Sequence, residues 1–394
     1  MNFDKLKDLM NSFVDDGYAI GNTVTVYLDS KNVYNYSCGY SDLKTKTLMT
    51  GNEHFNFYSC SKPITVTAAL QLFERGRFLL SDPLYEYIPE FRDMYIKSPD
   101  GELVKATKPI TILNLFNMTA GFDYNTKSEA FEKAREITNG KMNTLETIKC
   151  LASMPLLFEP GTRFQYSLCH DVLAAVVEAI SGKKFRDFVK ENIFDPLDMT
   201  QSVYHITPEI EKNMATQYTF MPHGEKELDF VNAQMSGSDK RGIFTEVGTG
   251  NYLMLGEEYD SGGAGVISTA QDYAKFATAL ANFGKGMTGE RILSPATVEL
   301  MRTNSLDSEQ IKTLNWSQLK GYGYGFGVRT MMDKIKASSL GSVGEFGWGG
   351  AAGSSVYIDP DKRLAAVYCK HNLNPFEQYY QPRVRNVLYA CLED

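Results

Sequence analysis

Strand-forming sequence lies at both ends of this chain, and helix-forming sequence lies between them. Residues 22–29, NTVTVYLD, and 33–40, VYNYSCGY, are rich in β-branched and aromatic residues and flank a short polar turn, which predicts a hairpin. At the far end, GSSVYIDPDKRLAAVYCKH (353–371) predicts two strands joined by a proline-containing turn at Asp359–Lys362. YGYGFGVRT (322–330) reads as a further strand, weakened by its glycines. Between these ends, residues 111–122, 167–182 and 268–284 carry helical apolar spacing and finish near glycine. The predicted layout is a largely antiparallel sheet built from both chain ends, with a helical region inserted between them. Residues 1–80 and 262–394 are assigned to the sheet-bearing part and 81–261 to the helical part.

The chain has 394 residues, more than one usual domain length. Phe3, Leu6, Met10, Phe13 and Val14 recur at helical spacing and predict an amphipathic N-terminal helix. A terminal helix is expected from about Pro375, with Tyr380, Val384, Val387, Leu388 and Cys391 roughly on one face. Residues 221–260 show no clear period and read as a long loop bordering a pocket. Forty basic and forty-eight acidic residues give a net charge of -8 without a Lys/Arg block, so nucleic-acid binding is not expected. The start of the chain lacks the basic and apolar pattern of a signal peptide, and no window reaches the length of a membrane span. Cys38, Cys60, Cys150, Cys169, Cys369 and Cys391 show no C-x-x-C spacing. Free thiols and a cytoplasmic location are therefore expected, with no membrane contact.

Three stretches carry chemical signals. In FNFYSCSKPITVTAALQLFERG (55–76), Ser59 precedes Lys62 by three residues. Read alone, the pair fits an N-cap serine and a solvated lysine as well as a nucleophile and its base. The following long apolar helix, from about Pro63 to Glu74, favours the second reading, because residues three apart on a helical turn share a face. Pro63 opposes a helical conformation at Lys62, so an irregular first turn is expected. The second stretch, RFQYSLCHD (163–171), places Tyr166, Ser167 and Leu168 just before a helix. The third, GEFGWGGAAGSSVYIDP (344–360), is a glycine-rich turn with Trp348 leading into a strand. Glycines at such a turn let backbone N–H groups approach a ligand.

In this order the stretches resemble the serine β-lactamase and penicillin-binding-protein superfamily, on the branch shared by class C β-lactamases and family VIII carboxylesterases. The resemblance runs through SCSKPIT, ERGRFLLSDPLYEYIPEF, ITILNLFNMTAGF, FQYSLCHDVLAAVVE, SGGAGVISTAQDYAKFA and GWGGAAGSSVYIDP. It implies a β-lactamase-like α/β (α+β) fold. It also implies Ser59 as acylated nucleophile, Lys62 as its base and Tyr166 as the proton shuttle. The backbone N–H of Ala351, with that of Ser59, would form the oxyanion hole. A Lys62 ammonium is expected to favour the phenolate of Tyr166.

Two departures bear on the substrate. Class C enzymes have Tyr-x-Asn where this chain has Tyr166-Ser167-Leu168, and Lys-Thr-Gly where it has Trp348-Gly349-Gly350. The carboxamide, cation and hydroxyl that would hold a lactam or a peptide C-terminus are absent. Trp348, Gly349, Gly350 and Leu168 are the expected substrate-binding residues, and the favoured reading is a serine hydrolase acting on small esters. A β-lactamase or D-amino-acid peptidase or amidase is the alternative enzyme, and a catalytically silent ligand sensor the alternative of another class. The expected partner is a small ester, amide or lactam; no cofactor or metal is expected. His54, His170, His205, His223 and His371 lack metal-ligand spacing. His170-Asp171 reads as a helix-surface or domain-contact pair. Cys60 is a poor candidate nucleophile, because Lys62 sits at the wrong offset from it. GYGYGFG (321–327) lacks the Lys-Ser/Thr of a phosphate loop.

Overall fold

The structure, a computed structural model, describes every residue except 99, 223–241, 374–375 and 393–394. Both chain ends do build one sheet. From the N-terminal end come β1 (Gly21–Leu28), β2 (Lys31–Asp42) and β3 (Thr47–Leu48). A separate hairpin, β4 (Gln217–Pro222) and β5 (Gly242–Gly248), lies in the middle of the chain. From the C-terminal end come β6 (Tyr322–Tyr324), β7 (Arg329–Met331), β8 (Phe346–Gly347), β9 (Ser355–Asp359) and β10 (Leu364–Lys370). The sheet order is β6-β7-β8-β9-β10-β1-β2-β3, with antiparallel pairing throughout. The two ends of the chain meet where β1 pairs with β10, in the register Asn22↔Lys370 to Leu28↔Leu364.

Side-chain alternation sends this sheet into two cores. Along β10, Ala365, Val367 and Cys369 enter one apolar cluster while Leu364, Ala366 and Tyr368 enter the other. The second cluster is closed by α1 (Asp4–Asp15), through Leu6, Met10 and Phe13, and by the C-terminal helix Glu377–Leu392, through Tyr380, Val384, Leu388 and Cys391. Both helices follow the apolar spacing read in the sequence, although Val14 and Val387 are only partly buried. The first cluster contains α2 (Ser61–Glu74), in which every residue from Ser61 to Leu72 is buried. A helix apolar and buried all round belongs at the centre of a molecule.

Several boundaries differ from expectation. The helix predicted over 111–122 is only α3 (Ile112–Phe116); Thr111 and Asn114 form a capping box, and Met118 at φ +61° ends the run. The other two predicted helices are α4 (Cys169–Ser181), closed by Gly182 in the left-handed region, and α5 (Ala270–Ala281). The C-terminal helix, α6, spans Glu377–Leu392, and the expected start at Pro375 lies outside the described residues. The strand expected over 322–330 is two strands, because Gly325-Phe326-Gly327 makes a tight turn between β6 and β7. The loop expected over 221–260 instead begins and continues with strand, β4 and β5; residues 223–241 of it lie outside the described residues.

Candidate active site

The chain reverses at Tyr58, whose φ of +44° is unusual for a bulky residue. Its hydroxyl donates to Gln217 Oε1 at 2.7 Å, which fixes the turn. A single 3₁₀ turn, Tyr58–Cys60, follows, and α2 begins at Ser61. Lys62 is therefore helical despite Pro63. As the third helical residue, Pro63 lacks an N–H that would have had no helical acceptor in any case. The irregularity expected at Lys62 lies instead in the turn before it.

This geometry puts Ser59, half-buried, at the mouth of α2 with Lys62 one turn inside, at 0 % exposure. Lys62 Nζ donates to Ser59 Oγ at 3.1 Å, to the Gly263 carbonyl at 2.7 Å and to the Tyr124 hydroxyl at 3.3 Å. Burial pushes the Lys62 amine down to about 7, against the opposing field of Asp171. A lysine so placed is substantially neutral near pH 7 and can take a proton from the serine.

Tyr166 approaches from just before α4. Its hydroxyl accepts the Trp348 Nε1–H at 3.2 Å, and the nearby Ser59 hydroxyl favours its charged form without overcoming burial. Lys62 Nζ stands 4.6 Å over the face of the Tyr166 ring rather than beside its oxygen. Burial raises the phenol well above its usual range. The expectation that Lys62 would bring Tyr166 towards phenolate is thus reversed: burial keeps the phenol protonated and makes the amine the basic group.

The glycine-rich turn after β8 packs directly on the nucleophile turn. Ser354 Oγ donates to the Phe57 carbonyl at 3.2 Å, and the Cys60 thiol lies 3.6 Å from the Trp348 carbonyl. A side chain at Gly350 would collide with the Phe57 carbonyl and Ser354 Oγ, so only glycine permits this approach. The Ala351 N–H has no acceptor among the described residues. Trp348 lies beside Tyr166 with ring centroids 5.6 Å apart, and a side chain at Gly349 would collide with Gln381 Nε2 and Glu377 Oε1 of α6. Leu168 packs into the core at 2 % exposure, so it supports the site from beneath rather than forming an open wall.

Sequence reasoning missed several neighbours. Tyr124 stacks on Tyr166 at 5.6 Å and touches Lys62; it lies two residues beyond the Phe122 that closed a recognised stretch. Trp316 meets Tyr166 at 5.1 Å with no surrounding pattern to mark it. His170 and Asp171 are not on a helix surface, for both are fully enclosed. His170 Nε2 lies 3.3 Å from the Phe116 carbonyl, and burial pushes its pKa down to about 3. Asp171 accepts from Ser261 Oγ at 2.7 Å and from the Tyr259 hydroxyl at 3.1 Å, bracing the segment that supplies the Gly263 carbonyl. Cys60 is buried, and its thiol is pushed up to about 12, which removes it as a nucleophile. Among the described residues, no group of three or more His, Cys, Asp or Glu is placed to hold a metal ion.

Comparison with known proteins agrees with this arrangement. The family described as "Beta-lactamase" matches residues 6–389. The chain belongs to the beta-lactamase family. It is thereby a serine hydrolase of beta-lactamase fold, with esterases among its relatives. Esterase EstB of Burkholderia gladioli is 25 % identical, with 86 % of this chain and 83 % of that protein covered. The solved structure of EstCE1, described as a hydrolase with promiscuous acyltransferase activity, is 26 % identical. It superposes with a TM-score of 0.75 over 98 % of each chain. Simvastatin synthase (LovD) of Aspergillus terreus shares the fold, at a TM-score of 0.74 and 17 % identity over 98 % of each chain. Among the described residues, no helix of this beta-lactamase-family chain is long and apolar enough to cross a membrane.

Proposed function

We propose that this chain hydrolyses small carboxylic esters through an acyl-enzyme on Ser59. The observation that carries the reading is the buried Lys62 amine, held near pH 7 and 3.1 Å from Ser59 Oγ. Ser59 Oγ attacks the acyl carbon and passes its proton to Lys62. The carbonyl oxygen becomes an oxyanion facing the N–H groups of Ser59 and Ala351, an interaction worth roughly 3–4 kcal/mol per donor in other hydrolases. The bond from acyl carbon to leaving oxygen then breaks. That oxygen takes a proton from the Tyr166 hydroxyl, and the Lys62 proton restores the phenol. Water repeats the sequence in reverse order on the acyl-serine and releases the acid.

Trp348 and Gly349 favour esters over lactams. Where lactamases and peptidases have Lys-Thr-Gly, this site offers an indole and bare backbone, so a substrate carboxylate finds no cation there. The buried amine beside a serine also argues against a silent sensor, because an uncompensated buried lysine is costly to retain without a use. The site gathers Ser59, Lys62 and Gly263 from the sheet-bearing parts (1–80 and 262–394) and Tyr124 and Tyr166 from the helical part (81–261). All six cysteines are free, which suits a reducing compartment such as the cytoplasm.

The test is to quench the protein with acid during turnover of p-nitrophenyl acetate and map the added mass. An acetyl group on Ser59, absent from Ser59→Ala, supports the reading. Turnover with acetyl found on another residue, or with none trapped on Ser59 in Tyr166→Phe, refutes it.

A further inference from the structure

A carboxyl group stands behind the base without lying on the proton path. Asp171, on α4, is buried. Its Oδ1 accepts from Ser261 Oγ at 2.7 Å and from the Tyr259 hydroxyl at 3.1 Å. Its Oδ2 has no hydrogen-bond partner among the described residues, although the Gly263 backbone favours its charged form. That second oxygen lies against Gly263. A β-carbon at Gly263 would come within 2.6 Å of Asp171 Oδ2, 3.0 Å of the Tyr124 hydroxyl and 3.4 Å of Lys62 Nζ. Carboxyl, phenol and amine therefore converge on one glycine, with no side chain between them.

Lys62 needs a counter-charge only while it holds the serine proton. Its three acceptors, the Ser59 hydroxyl, the Tyr124 hydroxyl and the Gly263 carbonyl, are uncharged. An ammonium formed there is a buried cation, which is costly without an opposite charge nearby. The other titratable groups around it do not supply one. The thiols of Cys60 and Cys169 are pushed up to about 12 and about 11 by burial. The phenols of Tyr124, Tyr166 and Tyr259 are raised in the same way, and burial keeps His170 neutral, with its pKa at about 3. Burial also raises the Asp171 carboxyl, but the Ser261 hydrogen bond and then the field of Lys62 favour its charged form.

We propose that Asp171 is a positioning residue for the proton transfer: its carboxylate stabilises the Lys62 ammonium, and through Ser261 it holds the Gly263 carbonyl to which that ammonium donates. The proton leaves Ser59 Oγ as that oxygen bonds the acyl carbon, and it rests on Lys62 Nζ. It passes to Tyr166 after the phenol has protonated the leaving oxygen, so Asp171 neither gains nor loses a proton. This inference rests on the esterase reading, in which Lys62 is the base, and specifies what keeps that base strong enough at neutral pH.

The test is the pH profile of kcat/KM for p-nitrophenyl butyrate, with product measured by chromatography, in wild type and in Asp171→Asn. The substitution keeps the size of the side chain and removes its charge. The wild-type acid limb should have its midpoint at about 7. In Asp171→Asn the ammonium is less favoured, so the midpoint should move to lower pH by about one unit or more, and the plateau should fall by about tenfold. The loss should then be smaller at pH 6 than at pH 8. A purely structural role would lower the whole profile and leave the midpoint in place. An unmoved midpoint overturns the inference and leaves the esterase reading intact, as does an acid limb that vanishes because Asp171 itself was titrating. If Asp171→Asn does not fold at pH 6, adding Lys62→Met should restore its circular-dichroism spectrum, because the uncompensated ammonium is then gone. Failure to restore it also overturns the inference. If wild type does not turn over the ester at all, the esterase reading itself fails and this inference falls with it.

Discussion

Ser59 and Lys62 differ in what their surroundings ask of them. Ser59 needs only to be reachable, and a half-buried place at the mouth of α2 provides that. Lys62 has to be basic at neutral pH, and complete burial against a carbonyl and a phenol provides that. Ser59→Ala should therefore abolish ester turnover while leaving the circular-dichroism spectrum and melting temperature nearly unchanged. The ester kcat/KM should fall tenfold per pH unit below about 7, as Lys62 becomes protonated and can no longer accept the serine proton. The same burial has a consequence for stability. The folded-state pKa lies below the unfolded value of 10.5, so between about 7 and 10.5 the unfolded chain holds a proton that the folded chain has released. Stability contributed by this position rises with pH across that window. Lys62→Met should raise the melting temperature relative to wild type by more at pH 6 than at pH 9. An equal shift at both pH values would show that Lys62 is not titrating as described. The pairing of Ser59 with Lys62 was legible from a three-residue spacing. Tyr124 and Asp171 were not, because they meet Lys62 only through contacts 62 and 109 positions away in the sequence, which no local pattern encodes.

Two turns carry the site, one before α2 and one after β8, and their contact is as important as either alone. Gly350 is the point of closest approach, with Phe57 and Ser354 filling the space that a β-carbon would need. Gly350→Ala should push the turns apart and displace the Ala351 N–H. We expect kcat to fall by about a hundredfold, the scale of losing one oxyanion donor. A Gly350→Ala protein with unchanged kcat would mean that this turn supplies no donor. At this scale the sequence was an uneven guide. β1, β2, β9 and β10 were readable because alternation and β-branched residues recur over their whole length. The helix expected over 111–122 stopped at Phe116, since apolar spacing continued past a capping box and a left-handed Met118 that periodicity alone does not register. The pair β6 and β7 read as one strand because a glycine-rich turn resembles a weak strand in composition.

The molecule as a whole is held by a sheet that closes the chain on itself, β1 against β10, with helical cores on both faces. That closure was legible because both ends of the chain read as strand-forming, with β-branched and aromatic residues recurring there. Towards the other edge of the sheet, Arg329 on β7 and Glu345 form a buried pair at 2.9 Å, with side chains 3 % and 0 % exposed. Removing one partner strands the other charge, so Glu345→Ala should lower stability by roughly 3–5 kcal/mol in urea denaturation. A loss under about 1 kcal/mol would show that the pair is not desolvated in solution. The central claim concerns what this folded site selects. A beta-lactamase-family scaffold with Ser59, Lys62 and Tyr166 in contact, but an indole and a glycine where a cation and a hydroxyl would bind carboxylate, should prefer esters. The most direct measurement is kcat/KM of the wild-type protein for p-nitrophenyl butyrate and for nitrocefin under the same conditions. The ester should be favoured by about a hundredfold or more, roughly 2.7 kcal/mol of transition-state preference. Faster turnover of nitrocefin than of the ester would contradict the account and make the protein a lactamase.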